Sequence, residues 1–149
     1  MNNKAITYFT NYATEEDIHL HLLICKNNFI PALDVTVNIN EYARKIRNNA
    51  VTFEAWHNKI LIGLIAAYFN NKNIKGYITN VSVHGDYLRK GIASKLMNDC
   101  INYGNKIRYK EISLEVNKLN KNAIILYEKF NFRKTGEKEK FLTMTLILN

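Results

Sequence analysis

Val81-Ser82-Val83-His84-Gly85-Asp86-Tyr87-Leu88-Arg89-Lys90-Gly91-Ile92-Ala93-Ser94 is the stretch on which the reading of this chain turns. Val81 and Val83 alternate with neighbours as in a strand, a polar turn follows, and Ile92, Leu96, Cys100 and Ile107 then recur at near-helical spacing. A strand therefore runs through a turn into a long helix that starts close to Gly91. The first N–H groups of a helix have no partner inside it and carry partial positive charge. Small residues there, Gly91 and Ala93, let an anion approach the backbone, while Arg89, Lys90 and Lys95 add full charges. The combination suits a pyrophosphate. Neither a Gly-x-x-x-x-Gly-Lys-Ser/Thr loop nor a three-glycine dinucleotide pattern occurs. Over this stretch alone, an ordinary strand–turn–helix with exposed basic residues would read the same way.

Upstream, Ile74 to Val83 reads as a strand with Tyr77, Thr79, Val81 and Val83 on one side. Val51, Phe53 and Ala55 alternate with Thr52, Glu54 and Trp56. The apolar run from Ile60 to Phe69 has the length of a buried strand. His57-Asn58-Lys59 and Asn70-Asn71-Lys72-Asn73 are turns, so the middle of the chain is an antiparallel meander. Ala5 to Phe9 predicts a short first strand. Thr14 before Glu15, Glu16 and Asp17 predicts a capped helix with Ile18, Leu22 and Cys25 on one face. A second short helix near Asn40 carries Tyr42, Ala43 and Ile46. Downstream, Ile112, Leu114 and Val116 alternate as a strand, Ala123, Ile124, Tyr127 and Phe130 form a helical face, and Phe141 to Leu148 is a final strand. The order β-α-α-β-β-β-α-β-α-β predicts one mixed sheet with helices on its faces, within one domain over 1–149.

Glu115-Val116-Asn117-Lys118-Leu119-Asn120-Lys121-Asn122-Ala123-Ile124-Ile125-Leu126-Tyr127-Glu128-Lys129-Phe130-Asn131-Phe132 is the second informative stretch. Together the two stretches resemble the GNAT superfamily of acetyl-CoA-dependent N-acetyltransferases. Leu88-Arg89-Lys90-Gly91-Ile92-Ala93 is similar to that family's Gln/Arg-x-x-Gly-x-Gly/Ala motif, with Leu88 in place of Gln or Arg. Asn120-Lys121-Asn122-Ala123-Ile124 to Phe132 resembles its second signature, in which Asn-x-x-Ala-Ile-x-Leu-Tyr-Glu-Lys-x-Gly-Phe follows a strand. Asn131 stands where glycine is usual, and asparagine tolerates the left-handed backbone a helix end needs. The resemblance covers roughly Val51 to Phe132. It implies a GNAT-like, mostly antiparallel α/β fold with helices on both faces. It also implies acetyl-CoA as co-substrate, held by Val81 and Val83 through their backbone, by Leu88, Arg89, Lys90, Gly91, Ile92, Ala93 and Ser94 around the pyrophosphate, and by Asn120 at the next helix start.

Acetyl transfer needs a proton donor for the departing thiolate, and a tyrosine hydroxyl can serve. The resemblance puts Tyr127 in that role; without it, Tyr127 reads as a core aromatic. By the same resemblance, Glu115 lies where ribosomal-protein N-terminal acetyltransferases carry their base; it alternates with apolar Leu114 and Val116, and it reads equally as a carboxylate in a strand shared by family members with different bases. His19, His21, His57 and Glu54 are weaker candidates that read equally as surface or packing residues, and His84 sits beside the phosphate turn.

Net charge is +8, which attracts polyanions, but no RNA- or DNA-binding signature accompanies it, so nucleic acid is not an expected partner. Cys25 and Cys100 are far apart and form no Cys-x-x-Cys pair, so neither a disulfide framework nor a metal site is expected. No apolar run has the length of a membrane span, and Met1-Asn2-Asn3-Lys4 lacks a secretory stretch, which predicts a cytoplasmic protein. The expected acceptor is a small-molecule amine such as an amino sugar, with a peptide or protein N-terminus as the alternative. A CoA- or nucleic-acid-binding module without turnover is the alternative from another class. Asn27 to Asn49 should shape the acceptor pocket. The sequence permits a homodimer without specifying one.

Overall fold

The computed structural model describes residues 5–149. The reading of Met1 to Lys4 lies outside the described residues. Strands β1 (Thr7–Thr10), β2 (Val51–His57), β3 (Ile60–Tyr68), β4 (Lys75–Val83), β5 (Glu111–Asn117), β6 (Arg133–Glu137) and β7 (Phe141–Ile147) form one sheet in the order β1-β2-β3-β4-β5-β7-β6. All pairings are antiparallel except β4 with β5. The helices are α1 (Glu15–Cys25), α2 (Leu33–Thr36), α3 (Ile39–Asn49), α4 (Ile92–Lys106) and α5 (Lys121–Lys129). No helix among the described residues is long and apolar enough to cross a membrane.

The sheet is covered on both faces, which is why β3 reads as a continuous apolar run. One face packs Ile62, Ile65 and Ile78 against Ile92, Leu96 and Cys100 of α4 and Tyr127 of α5. The other packs Trp56, Leu61, Leu64 and Ala66 against Ile18 and Leu22 of α1 and Ala43 and Ile46 of α3. Helix α1 starts as its sequence predicts: Thr14 Oγ1 accepts from the Asp17 N–H, and the Asp17 carboxylate accepts from the Thr14 N–H. Asn58 and Lys59 take positive φ in the β2–β3 turn, which brings the strands back on themselves.

The structure adds two elements and corrects two expectations. The sixth strand of the sheet, β6, was not anticipated, because Arg133-Lys134-Thr135-Gly136-Glu137 has no apolar alternation; it is a charged edge strand, and charge there discourages edge-to-edge pairing. The short helix α2 also went unread. Ile107 does not continue the buried face of α4: it is the C-cap and partly exposed, and Gly104 is buried in the last turn instead.

The second correction concerns β4. Its register against β3 pairs Ala66 with Asn80 but Ala67 with Ile78, so Thr79 is an extra residue in a bulge. The bulge breaks the expected single-sided row. Val81 and Val83 pack on the α4 face. Tyr77 lies opposite Tyr68, on the face that carries α3, together with Asn80 and Ser82. Tyr42 of α3 reaches across to the bulge, where its hydroxyl donates to the Thr79 carbonyl at 2.7 Å.

Candidate active site

Strands β4 and β5 pair only from Lys75–Tyr77 against Glu111–Ser113. Beyond Tyr77 they diverge, and a cavity of about 320 Å³ occupies the splay. Thr79, Asn80 and Val81 form one side, Leu114 to Asn117 the other, and Asn120 and Tyr127 of the α5 region close the base. The outer wall comes from Phe29, Ile30, Pro31, Leu33, Thr36, Val37 and Tyr42. These lie within Asn27 to Asn49, the segment expected to shape a pocket. Tyr42 was legible as a residue of the second helix, but nothing in the sequence marks it or the others as lining a cavity. Tyr77 was missed as a lining residue for the same reason as the bulge.

The direction of the β4 backbone follows from one hydrogen bond. His84 N–H donates to the Ile62 carbonyl at 2.7 Å. In an antiparallel ladder alternate residues face the partner strand, so Ser82 and Asn80 face β3 in the same way. Val83 and Val81 therefore turn their N–H and C=O groups away from β3, into the splay. Two strand residues are thus free to pair with an extended ligand.

Gly91 begins α4 with φ +77°, and no side chain caps the helix. A Cβ added to Gly91 would meet nothing within 4 Å. The first intrahelical bond runs from Lys95 N–H to Gly91 O, so the N–H groups of Ile92, Ala93 and Ser94 precede the ladder. Arg89, itself at φ +64°, and Lys90 are exposed beside them, as is Leu88. The Ile92 side chain is buried in the core, so only its backbone can serve a ligand. Lys95 differs from expectation. Its ammonium is 2.8 Å from Asp99 and lies over the Tyr8 ring, which commits it to the flank of α4. These features fit a pyrophosphate held by main-chain N–H groups, with an extended arm along Val81 and Val83.

Tyr127 is 7% exposed and lines the cavity, with Phe132 beside its ring. Burial pushes its phenol above the ordinary value, so it is protonated at neutral pH. Asn120 caps α5, its Oδ1 accepting from Ala123 N–H at 3.3 Å, which leaves its amide N–H₂ for a ligand. Asn131 ends α5 at φ +73°, and Phe132 N–H returns to the Tyr127 carbonyl, so the asparagine does take the left-handed conformation. Glu115 is the carboxylate of the lining, on the face of β5 opposite Leu114 and Val116, and Lys138 Nζ lies 3.3 Å from its Oε2.

The other candidate bases lie elsewhere. Glu54 is fully buried and accepts from Tyr12 N–H, Ala13 N–H, Thr52 Oγ1 and Trp56 Nε1, tying the segment before α1 to β2. His21 is fully buried between the Leu61 carbonyl and Ser82 Oγ, and burial, with smaller opposing hydrogen-bond contributions, lowers its pKa to about 4. His57 Nδ1 meets the Tyr87 hydroxyl at 2.6 Å, and His84 Nδ1 accepts from Asp86 N–H. His19 is half-buried on α1 and does not line the cavity.

Comparison with known proteins agrees with this geometry. Residues 12–132 match the acetyltransferase (GNAT) family. An N-alpha-acetyltransferase of Saccharolobus solfataricus is 43% identical over 61 residues, which is 40% of this chain and 36% of that protein. The match thus spans about a third of the relative's length. Among solved structures, the ribosomal-protein-S18-alanine N-acetyltransferase of Escherichia coli superposes with a TM-score of 0.79 at 16% identity, covering 97% of this chain and 95% of that one. A PaiA N-acetyltransferase from Thermoplasma acidophilum, in complex with coenzyme A, gives 0.77 at 16% identity over 97% and 99% of the two chains. A strand splay beside an open helix start, together with a family match over most of the chain, defines the class: the chain belongs to the GNAT family of acetyltransferases.

Proposed function

We propose that the splay between β4 and β5 is where this chain transfers an acetyl group to a primary amine whose neighbouring group is apolar, as in the α-amine of a peptide. Acetyl-CoA supplies the acetyl thioester. The N–H groups of Gly91 to Ser94 hold the pyrophosphate, with Leu88, Arg89 and Lys90 forming the turn around it, and Val81, Val83 and Asn120 align the arm. Glu115 takes a proton from the incoming ammonium. Tyr127 gives its proton to the departing sulfur; its hydroxyl is protonated at neutral pH, and the burial that raises its pKa makes its position at the sulfur, not its acidity, the basis of the role.

The observation that carries the acceptor assignment is the lining. It holds one carboxylate, no lysine or arginine, and an apolar wall of Phe29, Ile30, Pro31, Leu33 and Val37. A cationic amine beside an apolar group matches that chemistry, whereas a phosphorylated amino sugar would meet the Glu115 carboxylate and, as its one nearby cation, a Lys138 already paired with it. The N-alpha-acetyltransferase relative is consistent with this choice. The test is thiol release from acetyl-CoA, in chelator, across peptides of varied first residue, free amino acids and amino sugars. Peptides with apolar first residues should be preferred. Preference for anionic amino sugars would reverse the acceptor assignment.

A further inference from the structure

Lys138 stands in the β6–β7 turn with its Nζ 3.3 Å from Glu115 Oε2. The turn is held over the end of β5 by its neighbours. Lys138 N–H donates to the Phe141 carbonyl at 2.8 Å, and Lys118 N–H donates to the Lys140 carbonyl at 2.9 Å. Glu137, next in the chain, pairs with both Lys118 and Lys134. The backbone around Lys138 is therefore fixed, while its side chain, 73% exposed, can move. An exposed ion pair of this kind adds little to stability. Its position is what matters: Glu115 is the carboxylate of the cavity, so its partner is a primary amine tethered where an acceptor must shed its proton.

We propose that Lys138 is itself an acceptor, and that the chain acetylates its own Lys138 Nζ from acetyl-CoA. The proposal rests on the acetyl-transfer reading above. Glu115 takes one proton from the Lys138 ammonium, and the freed lone pair forms a C–N bond with the thioester carbonyl carbon. The resulting oxyanion collapses, the C–S bond breaks, and the thiolate takes a proton from the Tyr127 hydroxyl. The nitrogen loses its second proton to solvent, and Tyr127 is reprotonated from solvent. One ammonium and one thioester thus give one amide, one thiol and one released proton. Tethering removes the entropic cost of bringing the amine to the site, so this lysine should outpace any free one. Acetylation also abolishes its charge and frees Glu115 for an external amine.

The experiment uses the whole protein with trideuteroacetyl-CoA, which separates new acetylation from any acquired during expression. Peptide mapping then gives the rate at each lysine. Lys138 should gain heavy acetyl at least about tenfold faster than exposed Lys72 and Lys106, at a rate per molecule unchanged by dilution. Glu115→Gln and Tyr127→Phe should bring it down to that background, and Lys138→Arg should remove the label while keeping the ion pair. Labelling no faster than at Lys72, or labelling that falls on dilution, overturns the proposal. Thiol release on the amine panel is measured in parallel. Release without heavy acetyl on Lys138 overturns self-acetylation and leaves the acetyl-transfer reading standing; neither release nor label removes both.

Discussion

His84 N–H meets the Ile62 carbonyl at 2.7 Å, and this rung fixes which way the last residues of β4 face. With His84 turned to β3, Val81 and Val83 present their backbone groups to the gap that β5 leaves when it diverges after Ser113. The same strand then ends in the turn that leads to Gly91. One ladder contact therefore aligns the two halves of a site: an open strand edge and an open helix start.

Gly91 should be sensitive in two separable ways. Its φ of +77° strains any L-residue, so Gly91→Ala should cost about 1–2 kcal/mol in urea unfolding. Gly91→Glu carries the same strain and adds a carboxylate at the helix start, where it would repel the pyrophosphate. Calorimetry should show acetyl-CoA affinity reduced by at least about tenfold for the glutamate variant, beyond any loss in the alanine variant. Equal affinity in wild type and Gly91→Glu would move the phosphate site elsewhere.

Glu54 should prove structural. Four donors converge on its buried carboxylate, and an amide at that position would turn an N–H₂ group toward some of them. Glu54→Gln should lose roughly 3 kcal/mol of stability, because hydrogen bonds to a buried charge are the costly ones to break. Turnover per folded molecule should stay near wild type. A stable variant with little turnover would instead make Glu54 the base.

His21 links stability to pH. Its folded pKa is lowered from 6.5 to about 4, chiefly by burial, so the unfolded chain binds the proton more readily. Its contribution is fully present above the unfolded value and is lost as pH falls from about 6.5 toward 4. Between about pH 7 and pH 5 the wild type should lose roughly 2 kcal/mol through this group. Urea unfolding of His21→Gln, compared at the same two pH values, should show a shallower dependence. Identical slopes would assign the acid sensitivity to other residues.

The cradle was legible because it is local: a strand, a turn with Gly91, and a helix whose apolar residues announce its start. Glu115, Asn120 and Tyr127 were legible because a resemblance reached them, and the structure brings all three to one cavity. The wall from Phe29 to Tyr42 was not legible. Its residues from Phe29 to Val37 share no period and meet the cavity through the path of the chain between α1 and α3, where Tyr42 of α3 joins them. Tyr77 was hidden by the bulge at Thr79, which exchanges the two faces of β4 without any glycine or proline to mark it. The edge strand β6 was hidden by the charge that protects it. Glu54 and His21 gave no sign of their burial, because the backbone groups of Tyr12, Ala13 and Leu61 and the Ser82 hydroxyl that help accommodate them are distant in the chain.

The most direct test is Tyr127→Phe, which keeps the ring in its buried place and deletes only the hydroxyl. Turnover on the best amine from the panel and acetyl-CoA affinity are measured together on folded protein. A positioned general acid contributes about 10²–10⁴-fold, so turnover should fall by that order while affinity stays within a few fold. Turnover near wild type, with or without a loss of stability, would reduce Tyr127 to a packing residue and contradict the assignment of the proton donor.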